Sequence, residues 1–137
     1  SASAACPVTR AAPLDLVPAE AARPIVSGSS HPDVVRANLS IAGNDAIWVT
    51  VPRGPVALHD RLFVVRLVPG RIAATGRRID GAAPPPTLDV LDGYGDVGLQ
   101  LVGFSLPAPG CWELTFRLDG VVSTELTVTV LAPAGSP

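Results

Sequence analysis

Lysine and methionine are absent from the 137 residues, aromatic side chains make up 4%, and there are only two cysteines and two histidines. Each shortage excludes something. Without lysine the positive charge rests on ten arginines spread from Arg10 to Arg117, only Arg77 and Arg78 are adjacent, and the formal net charge is −2. That is no basic stripe for a phosphate backbone, so a nucleic-acid partner is not expected. Cys6 and Cys111 lack the C-x-x-C spacing of a zinc ribbon, and two histidines cannot supply a three-histidine zinc centre. Without methionine the usual blue-copper ligand set is incomplete. No cofactor or metal is therefore expected. No apolar run reaches the roughly 18 residues of a spanning helix, so a membrane-crossing helix is not expected either.

The missing methionine extends to position 1, which reads as a processed chain. Ser1-Ala2-Ser3-Ala4-Ala5 resembles the small-residue run around a signal-peptidase site, so the protein is expected to be exported. In such a compartment Cys6 and Cys111 are most simply one disulfide, with free or lipidated thiols as alternatives. A lipid on Cys6 would be the one route to a membrane, although Ser3 fits a lipoprotein box poorly. The abundance of Ala, Val, Pro, Gly and Arg suits a GC-rich bacterial genome.

Apolar residues make up 47% of the chain, enough for a packed core in one domain. Residues 1–33 hold five prolines at Pro7, Pro13, Pro18, Pro24 and Pro32. They predict an extended arm draped over something else, with at most one helical turn at Ala19–Arg23. From residue 34 the period becomes two: Val35, Ala37, Leu39 and Ile41 alternate with polar residues, then Ile47, Val49 and Val51 alternate with Trp48 and Thr50. Further strands are expected at 62–68, 71–79, 87–91 and 99–106. The last pair is a hairpin in which Trp112, Leu114, Phe116 and Leu118 face inward and Asp119-Gly120 makes the turn. Turn signals recur roughly every 8–12 residues, so the fold expected over 34–132 is an immunoglobulin-like antiparallel β-sandwich of about seven or eight strands. A flexible tail at 133–137 completes the division.

Residues 93–98, GYGDVG, spell the G-x-G-x-x-G of a dinucleotide site. That motif needs a helix start behind it to hold the pyrophosphate. Here Leu-Gln-Leu-Val-Gly-Phe follows and Pro107 cuts the run, so the glycines are read as a wide turn with positive φ. Asp89, Asp92 and Asp96 fail the spacing of a calcium loop and read as solvated turn residues. His31 in GSSHPD and His59 beside Asp60 carry no nucleophile elbow or H-E-x-x-H around them. A metal site or hydrolytic centre built on them is the least favoured alternative.

Trp112 lies on an apolar face, whereas Trp48 falls opposite Ile47 and Val49. Trp48 and Tyr94 are therefore the candidate contact residues, a second core layer or a cover by the proline-rich arm being the other reading of Trp48, and a glycan-binding module using them is an alternative function. CPVT at 6–9, GNDAIWV at 43–49, GRRIDGAAPPPTLDV at 76–90, YGDVG at 94–98 and LPAPGCWELT at 106–115 together resemble a group of exported bacterial proteins often classed as lipoproteins. These begin near Cys-Pro-Val-Thr and carry a late Pro-Gly-Cys-Trp-Glu strand. The resemblance implies a Cys6–Cys111 bridge and an envelope location, and no activity. The reading is a secreted or envelope-associated, non-enzymatic binding domain whose partner, a protein or a glycan, the sequence does not name.

Overall fold

The computed structural model describes residues 6–133. The small-residue run Ser1–Ala5 and nearly all of the expected tail lie outside them. Among the described residues eight strands form two antiparallel sheets. In chain order they are β1 (Ile41–Gly43), β2 (Ile47–Thr50), β3 (His59–Arg66), β4 (Gly70–Arg78), β5 (Thr87–Val90), β6 (Gly98–Ser105), β7 (Gly110–Gly120) and β8 (Thr124–Ala132). One sheet runs β1-β2-β3-β6-β5 and the other β4-β7-β8. Setting β1 aside, β2 to β8 occupy the places of strands A to G in a constant-type immunoglobulin sandwich, with ABED facing CFG. The expected sandwich is therefore the observed one, with an additional edge strand.

The core lies between the sheets. Ile47 and Val49 of β2, Leu62 and Val64 of β3 and Val102 and Phe104 of β6 meet Trp112, Leu114, Phe116, Val128 and Val130 of the other sheet. Trp112 is fully buried, and its indole Nε1 donates to the Ala108 carbonyl at 3.0 Å, as a buried tryptophan requires. The β7–β8 register pairs Trp112 with Val130, Leu114 with Val128 and Phe116 with Leu126. A two-residue Asp119-Gly120 turn would set Leu114 against Glu125, so cross-strand apolar pairing overrides the local turn signal. Leu118 pairs with Thr124 instead, and the tip moves on to Val121–Ser123.

Residues before β1 depart from the expected extended arm. Two helices form, α1 (Ala19–Val26) and α2 (Pro32–Ala37), after a 3-10 turn at Leu14–Leu16. The strand expected from residue 34 is thus a helix as far as Ala37. Pro32 at its first position is pre-set for a helix start, and Asp33 sits in the first turn. The first strand begins only at Ile41, so the arm runs past residue 33. α1 is longer than one turn despite Pro24 inside it. Its small Ala21 and Ala22 pack flat on the sheet, a tertiary gain that outweighs the proline.

Trp48 is where that packing occurs, and here the expectation of an exposed contact fails. Its ring is 6% exposed, in a second apolar layer with Ala21, Ala22, Leu39, Ile41 and Val65. Gly43 on the neighbouring strand makes this possible, because a Cβ there would collide with the indole. The arm also seals an edge. The Thr9 N–H donates to the Thr129 carbonyl at 3.0 Å, and the Thr129 N–H donates to Thr9 Oγ1 at 2.7 Å. Edge strand β8 is thereby kept from pairing with another chain.

Candidate functional site

Loops of the sandwich gather at two ends. One end carries the β3–β4, β5–β6 and β7–β8 connections, and it is organised around Arg66. This residue follows Leu62 and Val64 on the inward parity of β3 and is 2% exposed. A buried guanidinium must spend its donors, and this one spends them on backbone carbonyls. Nε donates to Gly98 (3.3 Å), Nη1 to Gly95 (2.9 Å) and Gly70 (3.1 Å), and Nη2 to Tyr94 (3.1 Å) and Val97 (3.4 Å). Burial pulls the Arg66 pKa down, and the nearby Asp96 carboxylate pulls it back up. Sequence reasoning passed over Arg66. The signal was a charge on the inward parity of the apolar run Leu62–Val68, a few residues from a wide glycine turn in space.

That turn is GYGDVG. Gly93, Gly95 and Gly98 have φ of 93°, 71° and 85°, which only glycine adopts freely. The motif is a loop between β5 and β6 and leads into no helix. Its carbonyls point inward onto Arg66 and its side chains point out. Tyr94 is 37% exposed and Val97 47%, and on the β7–β8 tip Val121 is 88% and Val122 44% exposed. Gly70 joins the two loops, pairing with Gly120 and donating its N–H to the Asp96 carbonyl at 2.8 Å. Asn44, in the β1–β2 turn, braces the same end by donating to Thr124 Oγ1 at 3.3 Å and to the Glu125 carbonyl at 3.1 Å. A recess of about 480 Å³ lies between Arg66, Gln100, Asp92, Asp96 and Arg71.

The opposite end is tied down covalently. Cys6 and Cys111 form a disulfide with Cα atoms 5.7 Å apart, joining the arm to the start of β7. The Cys6 sulfur is thus committed and cannot also carry a lipid in this state. Beside it, Asp80 Oδ1 accepts the Cys111 N–H (3.0 Å) and Arg78 Nε (2.8 Å). The Cys111 amide first, and Arg78 second, hold the Asp80 carboxyl below the usual carboxylate range, with some desolvation opposing.

The two histidines stand on different elements. His31 precedes α2, and its backbone N–H donates to Ser29 Oγ at 3.0 Å. His59 opens β3, and its Nδ1 lies 2.8 Å from Ser105 Oγ on β6. In an α/β-hydrolase the residue after the serine nucleophile supplies an N–H to the oxyanion hole. The Leu106 N–H is already bonded to the Leu58 carbonyl at 2.7 Å. Among the described residues no three His, Cys, Asp or Glu side chains come together closely enough to hold a metal ion. No helix among them is long and apolar enough to cross a membrane. Comparison with family models, curated proteins and solved structures finds no match.

Proposed function

We propose that the chain is a non-enzymatic binding module of the bacterial cell envelope or exterior. It engages a macromolecular partner through the loop end built on Arg66. One observation carries this reading: Val121, Val122, Val97 and Tyr94 expose apolar surface on two adjoining loops, of which the β5–β6 loop is pinned through its carbonyls by Arg66. Exposed apolar clusters mark contact surfaces, and loops fixed on a scaffold lose little entropy when they bind. Asp92, Asp96 and Arg71 in the adjoining recess favour a partner with an apolar patch and a rim of mixed charge. The disulfide supports an oxidising compartment. The resemblance to exported proteins bearing Cys-Pro-Val-Thr and Pro-Gly-Cys-Trp-Glu supports the same location. The glycan platform of Trp48 and Tyr94 loses its support, because Trp48 lies beneath α1.

The test is co-purification from the envelope of the source cells with tagged wild type and with a Val121→Ser, Val122→Ser double variant. A partner retained by wild type and lost by a double variant of unchanged melting temperature supports the reading. Equal retention by both overturns it.

A further inference from the structure

We propose that the outer face of the five-stranded sheet carries a separate ligand site, a trough over Gly103 that takes a neutral, hydroxyl-rich saccharide. The trough follows from strand register. Arg61 of β3, Gly103 of β6 and Asp89 of β5 form one row across the sheet, and His59, Ser105 and Thr87 form the next. Those six residues line an open groove of about 660 Å³, within the range of roughly 300–1,000 Å³ usual for small-ligand sites. The same face is covered by α1 only further along, at Val65 and Leu99.

Gly103 is the residue the fold does not explain. Its φ is ordinary, and a Cβ built there would meet nothing within 4 Å. Neither a turn nor a close approach within the chain requires glycine here. Glycine in a strand interior weakens the strand, and it often marks a place where something outside approaches the backbone closely. The space it leaves lies between two strand spacings, roughly 9–10 Å from the Arg61 to the Asp89 backbone. One sugar ring with its hydroxyls fills that gap and lays its C–H face on the bare floor.

Charge selects the class. Among the described residues, neither the Arg61 guanidinium nor the Asp89 carboxylate has a hydrogen-bond or ion-pair partner, the ion pairs being Arg77–Glu113, Arg78–Asp80 and Arg117–Asp119. Asp60, at the rim, accepts the Arg61 backbone N–H at 2.9 Å. A fork of donors thus faces an acceptor across the floor. The amphoteric hydroxyls of Thr87 and Ser105 stand in the adjoining row, Ser105 being held by His59 at 2.8 Å. An anion would meet Asp89, a cation would meet Arg61, and an apolar ligand would strip both of water without replacing it. A neutral polyol gives hydrogen bonds to both ends. On the floor itself a peptide strand cannot pair, because β6 is bonded on both sides.

The experiment is an array of neutral and charged glycans, followed by calorimetry with the free sugar of the best hit. The proteins are wild type, Gly103→Leu, Arg61→Ala and, as a control, Val121→Ser. Wild type should bind neutral glycans with little salt dependence. Gly103→Leu and Arg61→Ala should weaken binding at least tenfold at unchanged melting temperature, while Val121→Ser leaves it intact. If Gly103→Leu fails to fold, Arg61→Ala alone decides the point. No glycan bound by wild type, charged glycans only, or full affinity in Arg61→Ala would overturn the proposal. Loss of binding in Val121→Ser would place the sugar at the loop end instead.

Discussion

Arg66 shows how one side chain can organise a whole loop end. Five carbonyls from two loop segments converge on it, so its removal leaves several acceptors without a donor. Each buried acceptor left unpaired costs about 1–3 kcal/mol, less where water can enter. Arg66→Leu is expected to lower unfolding free energy by about 2–4 kcal/mol in urea. Arg66→Lys should recover only part, because an ammonium on a single stem cannot fork to five carbonyls. Limited proteolysis should cut both variants within 93–98 first. Full stability in Arg66→Leu would show that the loops hold themselves.

The two tryptophans make a second residue-scale comparison. Trp112 is fully buried with its N–H bonded, whereas Trp48 is buried in the second layer and its Nε1 has no partner among the described residues. Trp112→Ala should cost about 3–5 kcal/mol, the usual range for a buried tryptophan. Trp48→Ala should also destabilise, by less, since only the arm must settle over the gap. Trp48→Phe removes an unpaired buried donor and should be close to neutral. Urea titrations of the three variants check the order. A cost for Trp48→Phe approaching that of Trp112→Ala would contradict the assigned layers.

At the scale of elements, the strands were legible and the arm was not. Period-two runs such as Leu114, Phe116 and Leu118 are buried on one face and paired with Val128, Leu126 and Thr124 in turn, so their pattern is also their structure. The arm misled because its evidence was local. Five prolines argued against helix, yet Pro32 starts one and Pro24 is accommodated in another. What decides there is Trp48 on a distant strand, which period-two reading put on the outer face and which the arm covers as a second apolar layer. The candidate sites were less legible still. Tyr94 was visible as an aromatic in a turn, but Arg66 and the Arg61–Gly103–Asp89 row depend on strand pairing, which one sequence does not display.

β7 also begins under electrostatic control. The folded pKa of Asp80 is depressed, so its contribution is fully present above the unfolded value near 4 and is lost as pH falls through the lower folded value. Stability should therefore decline below about pH 4 in wild type, and less steeply in Asp80→Asn, whose baseline is lower at neutral pH. Melting temperatures from pH 2 to 7 for both proteins test this. Identical profiles would show that other carboxylates set the acid limit.

On the scale of the whole molecule, the sandwich has a tied end and a presenting end. The disulfide closes a sequence separation of 105 residues, a constraint worth about 4–5 kcal/mol in the chain-entropy model. Replacing both Cys6 and Cys111 with serine should lower stability by a large part of that and loosen the arm along β8. The loop end should remain intact in any molecule that still folds, because none of its bonds involves the arm's first residues. Hydrogen exchange at Thr129 against that at Gly70 separates the two effects. Protection lost equally at both would mean that the ends are not independent.

The central claim is that the end carrying Tyr94, Val97, Val121 and Val122 is where a partner sits. Site-specific photo-cross-linking tests it most directly, with the photoreactive residue placed at Val121 or, as a control at the tied end, at exposed Ala57. Intact source cells expressing each variant are irradiated and the adducts resolved by mass. The account predicts a discrete adduct from position 121 that untagged wild type competes away and that Tyr94→Ala with Val97→Ser abolishes, and none from position 57. Adducts from position 57 alone, or adducts from 121 indifferent to competition, would contradict it.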